Sequence, residues 1–354
     1  MRQLAREPTV LVTLLVVVVL MAIFIIYPQV RVVLVPGVEG YSNFFRGQTW
    51  VKPLRNSLQV MALSTTTAVL LGFIYAYAMV YSQMPWKPFF RLIGVLPLLS
   101  PPFVVAASYI LLFGPRGIIT YRLLGQSPNV LGLGGLWGVQ TIAFFPFAYQ
   151  LIADVLARSD PRLEQAARNL GAGPWDVFRT VTLPLARPGL IAATLMTAIY
   201  VLEDFGNPAL IGGRFTVLPT QAYALISGFG DLPGAAAVST ILLTLALILY
   251  VARLRLEGNR SYVTVTGRAS SMPRPPVPRG VTWVCFVACL LLAGLILLVY
   301  GVLVVSALVE AFPSNLALTL RHFVYVSAHA RARCKIRSCM AWERRSSVPC
   351  WRCC

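Results

Sequence analysis

Charged residues are scarce in this chain of 354 residues. Asp, Glu, Lys and Arg together make up 12% of it, whereas hydrophobic residues make up 57%. A soluble domain carries about twice that share of charged residues, because its surface must stay in contact with water. The composition therefore excludes an ordinary soluble domain and predicts an integral membrane protein.

Lysine and histidine are rarer still. A phosphate-binding loop needs a Gly-Lys-Ser/Thr sequence, and none of Lys52, Lys87 and Lys335 follows a glycine. The 2 histidines both lie near the C-terminus, so we expect no acid–base or metal cluster in the helical core. The sequence thus predicts a non-enzymatic subunit with no catalytic residue, no cofactor and no metal. Any ATP hydrolysis would take place on another subunit.

Long apolar runs recur along the chain, and each is long enough to cross a bilayer as a helix. We predict an all-α polytopic helix bundle with spans at about 9–35, 58–81, 91–113, 131–153, 188–208, 233–252 and 281–308. The first run follows the basic start "MRQLAREPT". At about 27 residues it exceeds the apolar core of a signal peptide, so we expect a retained membrane helix.

The Lys and Arg residues around these runs predict the orientation of the chain. If the N-terminus is cytoplasmic and the spans alternate, fifteen of these residues lie inside and seven outside. The inner set is Arg2, Arg6, Lys87, Arg91, Arg158, Arg162, Arg168, Arg179, Arg187, Arg253, Arg255, Arg260, Arg268, Arg274 and Arg279; the outer set is Arg31, Arg46, Lys52, Arg55, Arg116, Arg122 and Arg214. We therefore predict a cytoplasmic N-terminus. The positive charge needs no nucleic-acid partner to account for it.

Composition divides the chain into four parts. Residues 1–253 are predicted to form a first half of six membrane helices with a cytoplasmic loop at 157–187. Residues 254–280 contain four prolines and five arginines and indicate a cytoplasmic linker. Residues 281–326 contain the seventh membrane helix, and residues 327–354 form a tail of different character.

The tail holds five of the 7 cysteines of the chain and has no apolar periodicity. Three interpretations are open. Cys334, Cys339, Cys350, Cys353 and His329 could bind zinc, although their spacing does not form two clean ligand pairs. The tail could instead be a disordered basic segment. We favour translation in a wrong reading frame, which gives this enrichment in Arg, Cys, Ser and Trp.

The loop between the fourth and fifth spans is polar and patterned. Asp160-Pro161 suits a helix start, and Gly171 suits a helix end. A second short helix is predicted to start at Gly173-Pro174 and to end at Leu183-Pro184 and Pro188, where the next span begins. Leu163, Ala166, Ala167 and Leu170 would form one apolar face of the first helix, and Trp175, Phe178 and Val181 would lie along one side of the second. Two hypotheses remain open: docking of a partner protein, with Trp175 and Phe178 as anchors, or a hairpin resting on the lipid surface.

This loop resembles the EAA loop of permease subunits of ATP-binding cassette importers. That motif reads Glu-Ala-Ala, three residues, Gly, nine residues, Ile, one residue, Leu-Pro. The matching residues are Gln165, Ala166, Ala167, Gly171, Val181, Leu183 and Pro184. Gln165 and Val181 depart from the motif, and Glu164 stands one residue before the motif's Glu. In this family the loop docks on the ATPase subunit, so the resemblance implies that role for Glu164, Phe178 and the matching residues.

Two further stretches, Leu202 to Tyr223 and Ser261 to Ser270, resemble the two-half permeases of the ferric-iron importer family. Permeases for thiamine, polyamines and 2-aminoethylphosphonate look similar. The resemblance covers about residues 1–326, so we expect the second half to be truncated. It implies a type I importer permease fold and a bacterial cytoplasmic membrane location. The implied partners are two ATPase subunits, an extracytoplasmic substrate-binding protein and a second permease half or copy. A secondary transporter driven by an ion gradient is the alternative from another class.

Glu203 and Asp204 are acidic residues placed late in a predicted span. Helix rise puts them about 25 Å above Pro188, near the outer end. They could line the translocation path for a cation, because ionisable residues at membrane depth are functional candidates. They could instead lie at the water interface and cap the turn at Gly206-Asn207-Pro208. Both interpretations follow from the sequence.

Overall fold

The computed structural model describes residues 8–101, 103–127, 130–257, 277–313 and 315–328. These residues are predominantly helical. The α-helices are α1 (Pro8–Met21), α2 (Tyr27–Leu34), α3 (Gly37–Gly47), α4 (Val51–Tyr81), α5 (Lys87–Val95), α6 (Phe103–Phe113), α7 (Leu133–Arg158), α8 (Pro161–Asn169), α9 (Pro174–Val177), α10 (Leu183–Glu203), α11 (Gly206–Ile211), α12 (Leu218–Phe229), α13 (Leu232–Glu257) and α14 (Arg279–Leu308). Three π-helical turns occur at Ala22–Ile26, Ile118–Leu123 and Phe178–Thr182, and a 3₁₀ turn occurs at Leu96–Leu99.

Among the described residues, 7 helical segments are long and apolar enough to cross a membrane. They are Val12–Leu34, Val51–Tyr81, Phe103–Leu123, Leu133–Arg158, Pro174–Glu203, Leu232–Leu256 and Arg279–Leu308. This confirms the predicted all-α polytopic class. Several predicted boundaries are wrong, however, and the third and fifth spans differ most.

The third span begins later than predicted. Instead of one helix at 91–113, the chain forms the short helix α5, the turn Leu96–Leu99 and then α6 from Phe103. Prolines supply no backbone N–H, and they force the preceding residue into an extended conformation. Ser100 is extended in this way. The Ser100-Pro101 step therefore breaks the run, and the apolar span continues to Leu123 instead.

The fifth span begins earlier than predicted. The prediction that Leu183-Pro184 and Pro188 end a short helix is wrong, because one helical segment runs from Pro174 to Glu203. Pro184 lies in the first turn of α10, directly after the π-helical turn, and Pro188 lies inside α10. A proline removes one helical hydrogen bond but does not end a helix whose other residues are packed in a membrane bundle. The polar loop therefore merges directly into the span.

Small residues let the central helices α4, α7 and α10 approach closely. A Cβ on Gly72 of α4 would lie only 2.8 Å from the backbone nitrogen of Tyr149 on α7. A Cβ on Gly189 of α10 would lie 3.0 Å from Cβ of Val155, also on α7. Without an apolar driving force between helices in lipid, such close contact is what holds them together. The fully buried side chains around these helices include Tyr75, Phe145, Ile152 and Leu156.

The chain divides into two compact units, which are described separately. The first comprises Met1–Ala106 and Val130–Ile296, and it contains the central helices and the polar loop. The second comprises Ala107–Asn129 and Leu297–Cys354. Its described part holds a hairpin of two short antiparallel strands, β1 (Val309–Ala311) and β2 (Asn315–Leu318), that the sequence did not predict. Most of the predicted linker and nearly all of the tail, including its proposed zinc ligands, lie outside the described residues.

Candidate functional site

The polar loop begins with a capped helix. The Asp160 side chain accepts a hydrogen bond from the backbone N–H of Arg162 at 3.0 Å, and Pro161 occupies the first helical position. The Asp160 carboxylate accepts from a backbone N–H that has no partner within the helix, and Pro161 has no N–H that would need one. The predicted start of α8 is therefore confirmed.

The predicted end of α8 is confirmed as well. Gly171 has a φ of +88°, which residues with a side chain rarely adopt. Its N–H bonds to the carbonyl of Arg168 at 2.9 Å, and the N–H of Ala172 bonds to the carbonyl of Ala167 at 3.1 Å. This pair of bonds defines a Schellman motif, which reverses the chain direction after a helix. Gly171 thus forms the elbow between α8 and α9.

The second helix starts at Pro174 after an extended Gly173. The carboxylate of Asp176 accepts a hydrogen bond from the Gly173 N–H at 3.3 Å. Trp175 stacks on Phe178, with ring centroids 5.5 Å apart and an interplanar angle of 23°. The elbow between the two helices is therefore held by local contacts at both sides.

Phe178 packs against α4. Its ring lies 6.2 Å from Phe73 and 5.7 Å from Tyr77, both on α4. These aromatic partners are ones that the loop sequence alone does not reveal. Phe178 therefore attaches the elbow to the cytoplasmic part of α4.

The outward face of the loop is apolar and uncovered. Leu163 is 49% exposed, Leu170 90% and Trp175 68%, and Ala166 between them is exposed too. Ala167 and Gln165 are half-buried, as are Val181, Leu183 and Pro184. Leu163, Ala166 and Leu170 share one face of α8, and exposed apolar side chains on one face indicate a contact surface rather than ordinary solvent exposure.

Glu164 lies on the opposite side of α8. It is only 3% exposed and lines a small cavity with Tyr77, Tyr81 and Arg168. Val277 and Pro278, just before α14, line the same cavity, and sequence reasoning did not anticipate them. Glu164 therefore does not supply a charge to the exposed face, where the resemblance had suggested it could.

Glu203 and Asp204 occupy different environments. Glu203 is exposed, whereas Asp204 is buried. The Asp204 carboxylate accepts hydrogen bonds from Gln140 Nε2 and from Asn207 Nδ2, each at 2.9 Å, and from the Asn207 N–H at 3.2 Å. Asp204 lies one residue beyond the fifth span, and burial raises the pKa of its carboxyl group while these hydrogen bonds oppose that rise. The capping of Asn207 matches one part of the second interpretation, whereas the burial of Asp204 contradicts its placement at the water interface.

The partners of Asp204 were missed by sequence reasoning. Gln140 is fully buried on α7, and its Oε1 accepts a hydrogen bond from Ser64 on α4 at 3.2 Å. A lone polar residue inside an apolar span is the available signal, because such residues need partners. Ser64, Gln140, Asp204 and Asn207 thus form one polar network that connects α4, α7 and α11.

Three more hydrogen bonds hold the segment after Asp204. The Asn56 amide donates to the carbonyl of Thr216 at 2.9 Å, and the Ser57 hydroxyl accepts from the N–H of Leu218 at 2.9 Å. The N–H of Gly132 also bonds to the carbonyl of Ile211 at 2.9 Å. Irregular backbone at membrane depth needs such partners, since lipid offers none. We call residues 204–218 the outer segment, because charge distribution predicts that they lie near the outer side.

Comparisons with known proteins agree with this geometry. Residues 68–258 match the family described as binding-protein-dependent transport system inner membrane component. The chain is 28% identical over 296 residues to the ferric transport system permease protein FbpB of Actinobacillus pleuropneumoniae, covering 77% of this chain and 42% of that protein. It is 34% identical over 198 residues to the molybdenum transport system permease protein ModB of Escherichia coli strain K12, covering 54% and 86%.

A solved structure shows the same fold. A chain of the bacterial alginate ABC transporter, crystallised with an alginate pentasaccharide-bound periplasmic protein, superposes with a TM-score of 0.61 at 17% identity, covering 72% of this chain and 96% of that one. This chain spans less than half the length of the ferric permease that it matches. The family model nevertheless covers more than half of the chain, and it includes the C-terminal part of α4, all of α7 and α10, and the whole loop with the Gly171 elbow. The chain belongs to the family of inner membrane components of binding-protein-dependent transport systems.

Proposed function

We propose that this chain is a transmembrane permease subunit of an ATP-driven importer in the bacterial cytoplasmic membrane. It would form part of the substrate path and couple to separate ATP-binding cassette ATPase subunits, two copies in the assembly. An extracytoplasmic binding protein would deliver the substrate, and a second permease half or copy would complete the path. No hydrolysis is assigned to the chain itself.

The observation that carries this proposal is the exposed face of the loop between α7 and α10. Leu163, Leu170 and Trp175 present apolar surface, and the Schellman turn at Gly171 fixes the angle between the two helices. A rigid, uncovered apolar pair of short helices suits insertion into a groove of a partner protein. The match of this loop to the EAA motif supports an ATPase as that partner.

The inward contacts of the loop suggest how movement is passed on. Phe178 packs on Phe73 and Tyr77, so a shift of the docked loop pushes directly on α4. Since α4 is one helix of 31 residues, it moves as a rigid body over its whole length. ATP-driven closure of the ATPase pair would thereby reach the outer side of the membrane.

Ferric iron is the substrate we propose. Two ferric permeases match 77% of this chain, and this is the basis of the assignment. Molybdate is a second candidate, because the Escherichia coli molybdenum permease matches at 34% identity. A spermidine/putrescine permease of the same organism matches at 28% identity over 213 residues, which keeps polyamines as a third class. Of the two acidic candidates for the path, Glu203 is the exposed one and could contact a passing cation.

Uptake into proteoliposomes tests the proposal. The full chain would be reconstituted with ATPase and binding-protein subunits from the same genome, and radioactive ferric iron, molybdate and spermidine would be offered in turn. We expect ATP-dependent uptake of ferric iron that is lost when the ATPase is omitted. Uptake of molybdate or spermidine alone would overturn the substrate assignment. Failure of any ATPase to co-purify with the chain would overturn the coupling role.

A further inference from the structure

The polar network around Asp204 lies inside the helix bundle rather than at its edge. Gln140 is about 10 Å of helix rise from Leu133, the first residue of α7. Ser64 on α4 donates to Gln140 and therefore lies at the same level. Asp204 and Asn207 belong to the outer segment. The network therefore connects a surface-side segment to the interior of two membrane helices.

The carboxylate of Asp204 is held by neutral groups. Its partners are the Gln140 amide from α7 and the amide and N–H of Asn207, with the N–H of Gly206 beside them. The neighbouring acid, Glu203, is exposed. Hydrogen bonds to a charged acceptor are strong, yet water can replace neutral donors once it enters.

The closed arrangement is not fully satisfied. Asn207 is completely buried, and its Oδ1 has no hydrogen-bond partner. Buried polar atoms without a partner are uncommon in folded proteins and cost stability. Opening of the outer segment would hydrate this atom. The Asp204 hydrogen bonds thus stabilise the closed state, whereas the unpartnered Asn207 Oδ1 destabilises it. Such a balance is expected of an element that has to open.

We propose that Asp204 is a positioning residue whose hydrogen bond to Gln140 latches the outer segment shut against α7, while Asn207 holds the carboxylate in place within the segment, and that this latch opens when substrate passes. The role in passage rests on the proposed function. The latch itself does not, because it can be measured on the chain alone.

The test replaces the neutral donor by an acid of the same shape, Gln140→Glu. Two carboxyl groups in contact share one proton at low pH, because loss of the second proton is unfavourable, and the protonated group can donate as the amide did. At high pH the second proton is lost, and the two negative charges repel each other. We therefore expect the latch of this variant to close at about pH 5 and to open at about pH 8.

The reporter is a single cysteine in the outer segment, introduced by Val217→Cys in a chain whose 7 native cysteines are replaced by alanine. Val217 is buried against Val60 and Leu136, so a membrane-impermeant maleimide reaches this position only when the segment lifts. With Gln140→Glu we expect labelling about tenfold faster at the higher pH than at the lower one, after correction for thiol ionisation measured on the reporter chain alone.

Two variants complete the design. Gln150→Glu is the matched control, because Gln150 lies on the same helix but is exposed, and it should leave labelling unchanged at both pH values. Asp204→Asn replaces one carboxylate oxygen by an amide N–H₂, which cannot accept from the donors of Gln140 and Asn207. It should raise labelling equally at both pH values, and it keeps the test valid if Gln140→Glu is not inserted.

The outcomes separate the two proposals. Labelling that is slow and pH-independent in Gln140→Glu, or unchanged in Asp204→Asn, would overturn the latch even if ferric uptake is observed. A pH-dependent latch in a chain that supports no uptake would leave the latch standing and refute the transport role.

Discussion

Replacing Gly171 tests whether the elbow between α8 and α9 is needed for coupling to the ATPase. Its φ of +88° lies in the left-handed region, and a Cβ placed there would meet nothing within 4 Å. The cost of a side chain is therefore backbone strain alone, about 1–2 kcal/mol for Ala, and more for a β-branched residue such as Val. Asn tolerates this region better than Ala does. If that strain shifts the elbow, binding of the ATPase should weaken by about 5–30-fold for Gly171→Ala.

The expected order of ATPase binding is therefore Gly, Asn, Ala and then Val at position 171. Binding would be measured by titrating the purified chain in detergent with ATPase subunit, and ATP-dependent uptake would be measured in parallel. Membrane insertion should be unchanged, because the elbow lies outside the spans. The order follows only from how well each residue tolerates the φ angle at position 171.

The matched control is Gly173→Ala. Gly173 has a φ of −68°, which any residue adopts, and its added Cβ would meet only the flexible carboxylate of Asp176 at 3.3 Å. We expect this variant to bind the ATPase normally. Equal loss in Gly173→Ala and Gly171→Ala, or normal uptake in Gly171→Val, would refute the assignment of Gly171 as the elbow of a docking loop.

Three further predictions concern the loop and the outer segment. Asp160→Ala removes the acceptor for the Arg162 N–H and should lower stability by about 0.5–2 kcal/mol, measured by thermal unfolding in detergent. Leu170→Asp changes an almost fully exposed side chain, so it should leave unfolding unchanged while weakening ATPase binding at least as much as Gly171→Ala. Asn56→Ala leaves the carbonyl of Thr216 without its donor and should cost about 1–3 kcal/mol in the same unfolding assay.

Each of these changes has a matched control variant. Asp160→Asn keeps an acceptor and should retain most of the stability that Asp160→Ala loses. Leu124→Asp alters another exposed leucine outside the loop and should not affect ATPase binding. Asn43→Ala removes an exposed amide and should not affect unfolding. If a control behaves like its partner variant, the corresponding contact does not have the role given to it.

The ends of α8 could be predicted because they depend on neighbours in sequence. Asp160 reaches an N–H two residues away, and Gly171 closes a turn over a few residues. Such local bonds leave a recognisable residue type at a fixed position. The number of membrane helices was predictable for a similar reason, since each apolar run must satisfy its own backbone in lipid.

The direction in which the loop side chains point could not be predicted. Phe178 faces inward because Phe73 and Tyr77, about a hundred residues earlier, offer aromatic surface. Glu164 faces a cavity that Tyr77 and Tyr81 of α4 also line, and these residues are equally remote in sequence. A helical period shows which residues share a face, but it does not show which face meets another helix.

The two parts of the site are joined by α4. Near its outer end Asn56 and Ser57 hold the outer segment, and near its cytoplasmic end Tyr77 contacts Phe178 of the loop. These contacts are about 30 Å apart by helix rise. A single helix transmits displacement over that distance because it is stiff, and no chain of side-chain rearrangements is needed. In the proposed mechanism a push on one end of α4 is therefore transmitted to its other end. There the buried polar groups of α4 and α7 release the outer segment.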